Sequence, residues 1–452
     1  MIKEEVHEYA LKRAADFLDS WLSLRAGQVD LPGFSIAVGY KDKVIFQGAY
    51  GLADIERGER LTPKHLFSIS SQSKMLTATA VMQLVEQHKL ALDGVVITYL
   101  PWLAQHRDKR HRDITLRQLL AHSSGMVRDG LDGDYWQLQR LFPNGQELQQ
   151  AVLAADLAFD PDETLKYSNL GYGLLGQVIE AVTSTPYVEY VDRHIVKPFG
   201  LALTTVPTVP VATGYTAPLN HHRQSNPMPI QTQALDPAVG WYSTAADMCR
   251  FAYMHIAGPK SPLSKKSRQE MHRNHPRQQM PQAYQHLEYG LGFQRLQLGG
   301  RLFLGHSGSF LGHRTCTFFD PQQHLSVAVL ANGQDAPFMR MSQGVFQVID
   351  FFLKAVGGPT PLRLQKFNVR LANPQVVVEL VATDKRIVAF YPEDWSPFTA
   401  CQELQYVDST TLKFKHAHPF LAPGEKVTFT RSKGQTNSVR FAGSTLKPLQ
   451  QY

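Results

Sequence analysis

The sequence predicts a mixed α/β (α+β) fold: an antiparallel sheet flanked by helices beside an all-helical region, followed by a small all-β domain. Three observations predict it. Strand-type runs cluster at two places, Phe34–Tyr50 and Tyr289–Gly333, with a helical, loop-broken stretch between them. Amphipathic helical patterns flank this pair of clusters on both sides. After a Pro/Gly segment near residue 360 the apolar pattern changes to period two and stays there.

The elements follow in order. Val6, Ala10, Ala14, Phe17, Leu18 and Trp21 recur at helical spacing and give the first helix one buried face. "FSIAVGYKDKVIFQGAYG" reads as a hairpin around the polar turn Lys41-Asp42-Lys43. "SISSQSKMLTATAVMQLVEQHKL", Ser68–Leu90, reads as an amphipathic helix with one odd residue: Lys74 shares a face with Ala78, Val81, Met82 and Val85. Residues from about 95 to 285 mix helices with Pro, Gly and His breaks. Four strand-type runs then follow, with turns at Gly299-Gly300 and Pro321-Gln322-Gln323. A second amphipathic helix carries Phe338, Met341, Val345, Val348, Ile349, Phe352 and Val356 on one face. The expected division is a first domain over residues 1–356, a linker at 357–365 that includes "GGPTPLR", and a barrel or sandwich over 366–452. In that last part Leu404/Tyr406, Leu412/Phe414, Val427/Phe429 and Val439/Phe441 alternate with polar residues.

Composition excludes several classes. With 43% hydrophobic and 19% charged residues the chain packs a core. The formal charge of +7 is mild for 452 residues. The densest basic run, "HRDKRHRD" at His106–Asp113, contains two aspartates and reads as a solvated loop, so no nucleic-acid partner is expected. Cys249, Cys316 and Cys401 are widely spaced and odd in number, which argues against a disulfide framework and a zinc site; no metal or cofactor is expected. No stretch approaches the ~18 apolar residues of a membrane span. The start lacks a secretory pattern, so the expected location is cytoplasmic, or periplasmic if a leader was removed.

Ser71 and Lys74 stand three residues apart, so on a helix they share a face. Burial lowers a lysine's pKa, and an amine beside a hydroxyl can relay its proton. The spacing alone is cheap: the chain repeats it at Ser444 and Lys447, in a strand-like context. A capping serine and a lysine snorkelling to water would satisfy it equally well. Two further elements give it weight, Tyr167-Ser168-Asn169 before a helix-like run and His306-Ser307-Gly308 on or at the end of a strand.

Together, and in this order, these elements resemble the serine β-lactamase and penicillin-binding-protein superfamily, closest to its class C β-lactamase, D-aminopeptidase and esterase branch. The likeness covers roughly residues 10–355 and includes "DITLRQLLAHSSGM" at Asp113–Met126 and "GWYSTAADMCRFA" at Gly240–Ala252. It implies that Ser71 is the nucleophile, with Lys74 shuttling its proton. Tyr167 would be the general base, as phenolate or through Lys74. Asn169 would orient Lys74 and hold a substrate amide. Gly308 would allow close approach to the strand, and the backbone N–H groups of Ser71 and Ser309 would form the oxyanion hole. His306 stands where most of the superfamily has a lysine. A mostly neutral histidine there weakens the case for an efficient β-lactamase or for a peptidase that needs a free carboxylate. The C-terminal part resembles the lipocalin-like appendages of some of these peptidases, which implies shielding of the site or a homo-oligomer. The implied activity is hydrolysis of an amide or ester in a small molecule or peptide, with a D-residue among the candidates. The alternative is a penicillin-binding sensor or scaffold with little turnover.

Overall fold

The computed structural model of the chain describes residues 3–226, 229–256, 261–275, 287–416 and 422–449. The helical, loop-broken stretch expected over about 95–285 lies partly outside them. The chain divides into two compact units. Residues up to Asp30 join those from Met339 onward in one, and Leu31–Phe338 form the other.

In chain order the elements that matter are α1 (Lys3–Gln28), β1 (Gly33–Tyr40), β2 (Lys43–Asp54), β3 (Glu59–Arg60), α2 (Ser73–Glu86), α3 (Leu116–Leu120), α4 (Asn169–Thr183) and α5 (Ala245–Ile256). They continue with β4 (Leu287–Tyr289), β5 (Gln294–Leu298), β6 (Arg301–Phe310), β7 (His313–Asp320), β8 (Leu325–Ala331) and α6 (Phe338–Ala355).

In the unit Leu31–Phe338 the described strands form an eight-stranded antiparallel sheet in the order β3-β2-β1-β8-β7-β6-β5-β4. The strands before and after the helical stretch therefore meet inside the sheet, where β1 pairs with β8 from Phe34↔Ala331 to Tyr40↔Leu325. Every residue of "LSVAVLA" in β8 is buried, which explains its continuous apolar run. The β1–β2 hairpin closes in two residues, with Lys41 at φ 53 and Lys43 already paired to Tyr40. Lys43 therefore belongs to the strand and not to the turn.

The expected helix over Ser68–Leu90 is shorter and differently built. Phe67–Ser68 pairs with Tyr242–Ser243 as a two-residue strand, and a 3₁₀ turn at Ser70–Gln72 precedes α2. Eleven of the fourteen residues of α2 are buried, so it is a central helix and not an amphipathic surface one. It shares one apolar core with Leu116, Leu119 and Leu120 of α3, Leu174, Leu175 and Val178 of α4, and Trp241.

The other unit contains a closed antiparallel barrel of eight strands, β9 (Val369–Asn373), β10 (Val376–Ala382), β11 (Ile387–Phe390), β12 (Gln402–Tyr406), β13 (Thr411–His416), β14 (Lys426–Ser432), β15 (Gln435–Phe441) and β16 (Ser444–Pro448). Leu371↔Pro448 and Ala372↔Lys447 close it. The period-two residues Leu404, Leu412, Phe414, Val427, Phe429, Val439 and Phe441 fill its centre with Leu371, Leu380 and Leu446. α1 and α6 belong to this unit: the Trp21 indole N–H donates to Pro392 O (3.0 Å), and Phe351 stacks on Phe398 at 4.0 Å.

The basic run at His106–Asp113 is largely neutralised. Arg110 binds Asp108 (2.7 Å) and Asp160 (2.5 Å), and Arg107 binds Asp156 (2.8 Å). Among the described residues no helix is long and apolar enough to cross a membrane and no His/Cys/Asp/Glu cluster could hold a metal.

Candidate active site

The site forms where α2, α4 and β6 converge. Ser71 lies in the 3₁₀ turn one residue after Ser70, whose φ of 52 is a left-handed conformation that a serine adopts only when its surroundings impose it. The surroundings are the Gly240–Ser243 stretch. Ile69 N–H donates to Trp241 O (2.9 Å), Trp241 N–H donates to Ser73 Oγ (3.2 Å), and Ser73 O–H donates to Ser70 O (2.6 Å). That clamp leaves Ser71 half-buried at the head of α2.

Lys74 is fully buried. Its Nζ donates to Asn169 Oδ1 (2.8 Å) and Ala238 O (2.9 Å) and lies 3.5 Å from Ser71 Oγ. It sits over the rings of Tyr167 (4.7 Å) and Tyr172 (5.4 Å). Burial pushes its pKa well below the usual lysine value; Asp129 opposes the shift, and Arg128 adds to it.

Ser168 caps α4 by accepting the Gly171 N–H (3.0 Å), which fixes its two neighbours. Asn169 is almost wholly buried, with Oδ1 on Lys74 and Nδ2 donating to Asp129 Oδ1 (2.7 Å). In this arrangement it serves Lys74. Tyr167 is half-buried, and its phenol contacts the Ser71 hydroxyl. Burial pushes its pKa above the ordinary tyrosine value, and the Ser71 contact only partly opposes that. A standing phenolate is therefore disfavoured.

β6 supplies the opposite wall. His306 lies mid-strand and buried, not in a hairpin connection. Its Nδ1–H donates to Ser307 O (2.5 Å), and its Nε2 accepts from the Tyr289 hydroxyl (2.9 Å), as a neutral ring requires. Burial first, then the Lys74 charge, pushes its pKa down to about 3. At Gly308 a Cβ would fall 2.3 Å from Ile69 O and 3.0 Å from Ser70 Cβ. The close approach this glycine permits is thus to the turn that carries Ser71. Ser309 is exposed. β5 pairs with β6 only as far as Gly305↔Gln294, and the Ser307 N–H is taken by Gln294 Oε1 (3.0 Å). Two residues on, the Ser309 N–H points to the same side, at an open strand edge.

All seven candidates therefore lie in one region. Several neighbours carried no signal in the sequence. Asp129 sits in a loop whose course no pattern fixes. His122, within Asp113–Met126, stands among residues that give no sign of what it holds. It accepts the Ser168 N–H at Nδ1 (3.2 Å), its carbonyl accepts from Lys166 N–H (2.8 Å), and its ring lies 4.1 Å from that of Tyr167. It thus grips three consecutive residues around the tyrosine.

An antiparallel sheet joined to a helical region, with a serine and a buried lysine where they meet, is the β-lactamase-like fold. The chain belongs to the Beta-lactamase family, whose model matches residues 18–347. At the level of the family this implies a serine hydrolase. Protein flp of Staphylococcus aureus (strain MW2) is 30% identical over 175 residues, which are 39% of this chain and 35% of that protein. The chain thus spans about a third of that relative's length. The octameric penicillin-binding protein homologue from Pyrococcus abyssi is similar in structure, with a TM-score of 0.65 and 22% identity over 95% of this chain and 99% of that one. A D-stereospecific amidohydrolase from a Streptomyces species has a TM-score of 0.61 and 24% identity over 76% of this chain and 97% of that one. At these identities both show the fold.

Proposed function

We propose that the protein hydrolyses an amide or ester of a small peptide-like substrate through an acyl-enzyme on Ser71. One observation carries the reading: the hydrogen-bond count at Lys74. A neutral amine has two hydrogens and one lone pair. Asn169 Oδ1 and Ala238 O accept two hydrogens (2.8 and 2.9 Å), and Ser71 Oγ lies 3.5 Å from the same nitrogen: it accepts the third hydrogen of the ammonium, and once that proton has left it faces the lone pair. The depressed lysine pKa makes that neutral form accessible.

The Ser71 Oγ–carbonyl bond forms as the Ser71 proton passes to Lys74 Nζ, directly or through Tyr167. The oxyanion takes the Ser71 and Ser309 N–H groups. Collapse breaks the bond to the leaving group, which departs with the proton held by Lys74 and Tyr167, and acyl-Ser71 remains. Water then attacks the ester, gives its proton to the same pair and releases the acid, and Ser71 recovers its proton. A D-residue in the substrate fits the resemblance to the D-aminopeptidase branch and the D-stereospecific amidohydrolase as a fold neighbour.

Intact-mass analysis after exposure to a fluorophosphonate, together with turnover of p-nitrophenyl esters and D-amino acid anilides, tests this. Modification mapped to Ser71 and lost in Ser71→Ala is expected. Neither labelling at Ser71 nor turnover of any member would sink the reading. Stable acylation without release would instead favour a penicillin-binding sensor.

A further inference from the structure

The turn that carries Ser71 is held from a second side, by the strand beyond β6. In the sheet register Gly308 of β6 lies across from Thr315 of β7, and Phe310 across from His313. His313 and Thr315 stand two apart on β7, so their side chains project on one face. Both are fully buried. Thr315 O–H donates to Ile69 O (3.3 Å), and its Oγ1 accepts from the side-chain amide of Gln72 (2.8 Å). It reaches them past Gly308, where a Cβ would fall 2.6 Å from Thr315 Oγ1. His313 Nδ1 accepts the Ser68 N–H (2.8 Å), and its Nε2–H donates to Ala212 O (2.9 Å).

A backbone N–H only donates and a carbonyl only accepts, so both nitrogens of His313 are assigned. The ring is neutral, with its hydrogen on Nε2. Burial pushes its pKa down to about 4, in keeping with that state. A second hydrogen, on Nδ1, would face the Ser68 N–H. With Trp241 O on the Ile69 N–H, the Ser68 N–H and both backbone groups of Ile69 are taken. Ser70 is thereby kept at its φ of 52, and the direction of Ser71 follows from it.

We infer that His313 is a positioning residue for acylation: its neutral ring fixes the chain at Ser68 and, with Thr315, sets where Ser71 Oγ and the Ser71 N–H point. This rests on the acyl-enzyme reading above and adds to it a residue on a strand that does not itself line the nucleophile. A displacement of about 1 Å in a reacting group can cost on the order of a hundredfold in rate. A residue with this task acts on the rate of the chemical step and leaves binding of the ground state alone.

Fluorophosphonate labelling of Ser71, read by intact mass and resolved into a maximal rate and a half-saturating concentration, tests it. His313→Phe keeps a ring beside Phe67, 5.5 Å away in the unaltered protein, but neither hydrogen bond. Its maximal rate should fall at least about tenfold, with the half-saturating concentration within about twofold. His313→Gln, whose amide can both accept and donate, should keep a larger share of the rate. Phe318→Leu, buried on the opposite face of β7, is the reference for lost stability alone: it should lower the melting temperature and leave the rate within about twofold. An unchanged rate in His313→Phe, equal losses in the Phe and Gln variants, or a rate loss that tracks melting temperature alike in His313→Phe and Phe318→Leu overturns this inference alone. If His313→Phe shows no cooperative melt, Thr315→Val decides: severalfold slower labelling is expected, and an unaltered rate overturns the inference. No labelling of Ser71 in the unaltered protein overturns the hydrolase reading and this inference with it.

Discussion

Two stretches of this chain carry the same spacing, Ser71/Lys74 and Ser444/Lys447, and the fold treats them differently. At Ser71 the chain makes a 3₁₀ turn into a helix, so a residue three positions on comes back to the same face, and the two side chains lie 3.5 Å apart. At Ser444 the chain is strand β16 of the barrel, where an offset of three puts side chains on opposite faces. Lys74 is fully buried and held by two carbonyl-type oxygens, whereas Ser444 and Lys447 are both exposed. A short motif therefore has chemical meaning only through the element that carries it.

The largest expected difference is in acylation. Ser71→Ala should remove probe labelling and turnover, a loss of roughly a thousandfold or more, measured by intact mass and by ester hydrolysis. Lys74→Met should come close to it in rate but diverge in stability. Removing a buried amine whose charged form is disfavoured leaves the melting temperature unchanged or raised at neutral pH. The pH dependence has a definite sign. Lys74 is less protonated in the folded chain than the usual 10.5 allows. Between its lowered value and 10.5 the unfolded chain binds the extra proton, so this group's contribution favours folding more as pH rises and is lost as pH falls through the lowered value. The melting temperature of Lys74→Met relative to the unaltered protein should therefore be highest at low pH and converge on it near pH 10. Convergence in the opposite direction would show that Lys74 is held as an ammonium.

Glycines sharpen the comparison one step further down. Gly308→Ala places a methyl 2.3 Å from the backbone oxygen of Ile69, so either β6 or the Ser71 turn must move. A loss of roughly 1–3 kcal/mol is expected, with a fall in Ser71 labelling. Gly443→Ala in the barrel meets nothing within 4 Å and is disfavoured only by its φ of +77. Its cost should be about 1 kcal/mol, with labelling intact. Thermal melts and labelling rates of the two variants check this; equal labelling in both would show that β6 does not set the position of Ser71.

The sequence carried much of this arrangement because much of it is local. The period of two in the barrel, the apolar run of β8 and the Ser168 cap each follow from neighbouring residues. The amphipathic reading of α2 failed for a non-local reason: helices at Asn169–Thr183, Tyr187–Val191 and Asp236–Val239 pack against it. The same distance hides Asp129, which reaches Asn169 from forty residues away, and Ala238, whose carbonyl on Lys74 leaves no trace in residue type. His306 was legible as a substitution for lysine but not in its consequence. Its neutrality comes first from burial, with Tyr289 donating to Nε2, and a protonated Lys74 only adds to it.

The smallest expected effect bears most directly on the comparison. Ser444→Ala and Lys447→Ala should each change stability by less than about 0.5 kcal/mol and leave Ser71 acylation unaltered. Ser444 is an exposed strand residue, so its hydroxyl exchanges one set of water contacts for none. Lys447 pairs with Ala372 through the backbone ladder that closes the barrel, and that ladder survives removal of the side chain. By the proposed mechanism Ser71→Ala and Lys74→Ala would remove the reacting oxygen and its base. Measured on one probe and one melting curve, the four variants form a matched set in which only the surrounding element differs. A loss of labelling on changing either barrel residue would break the contrast and give the barrel a part in the reaction.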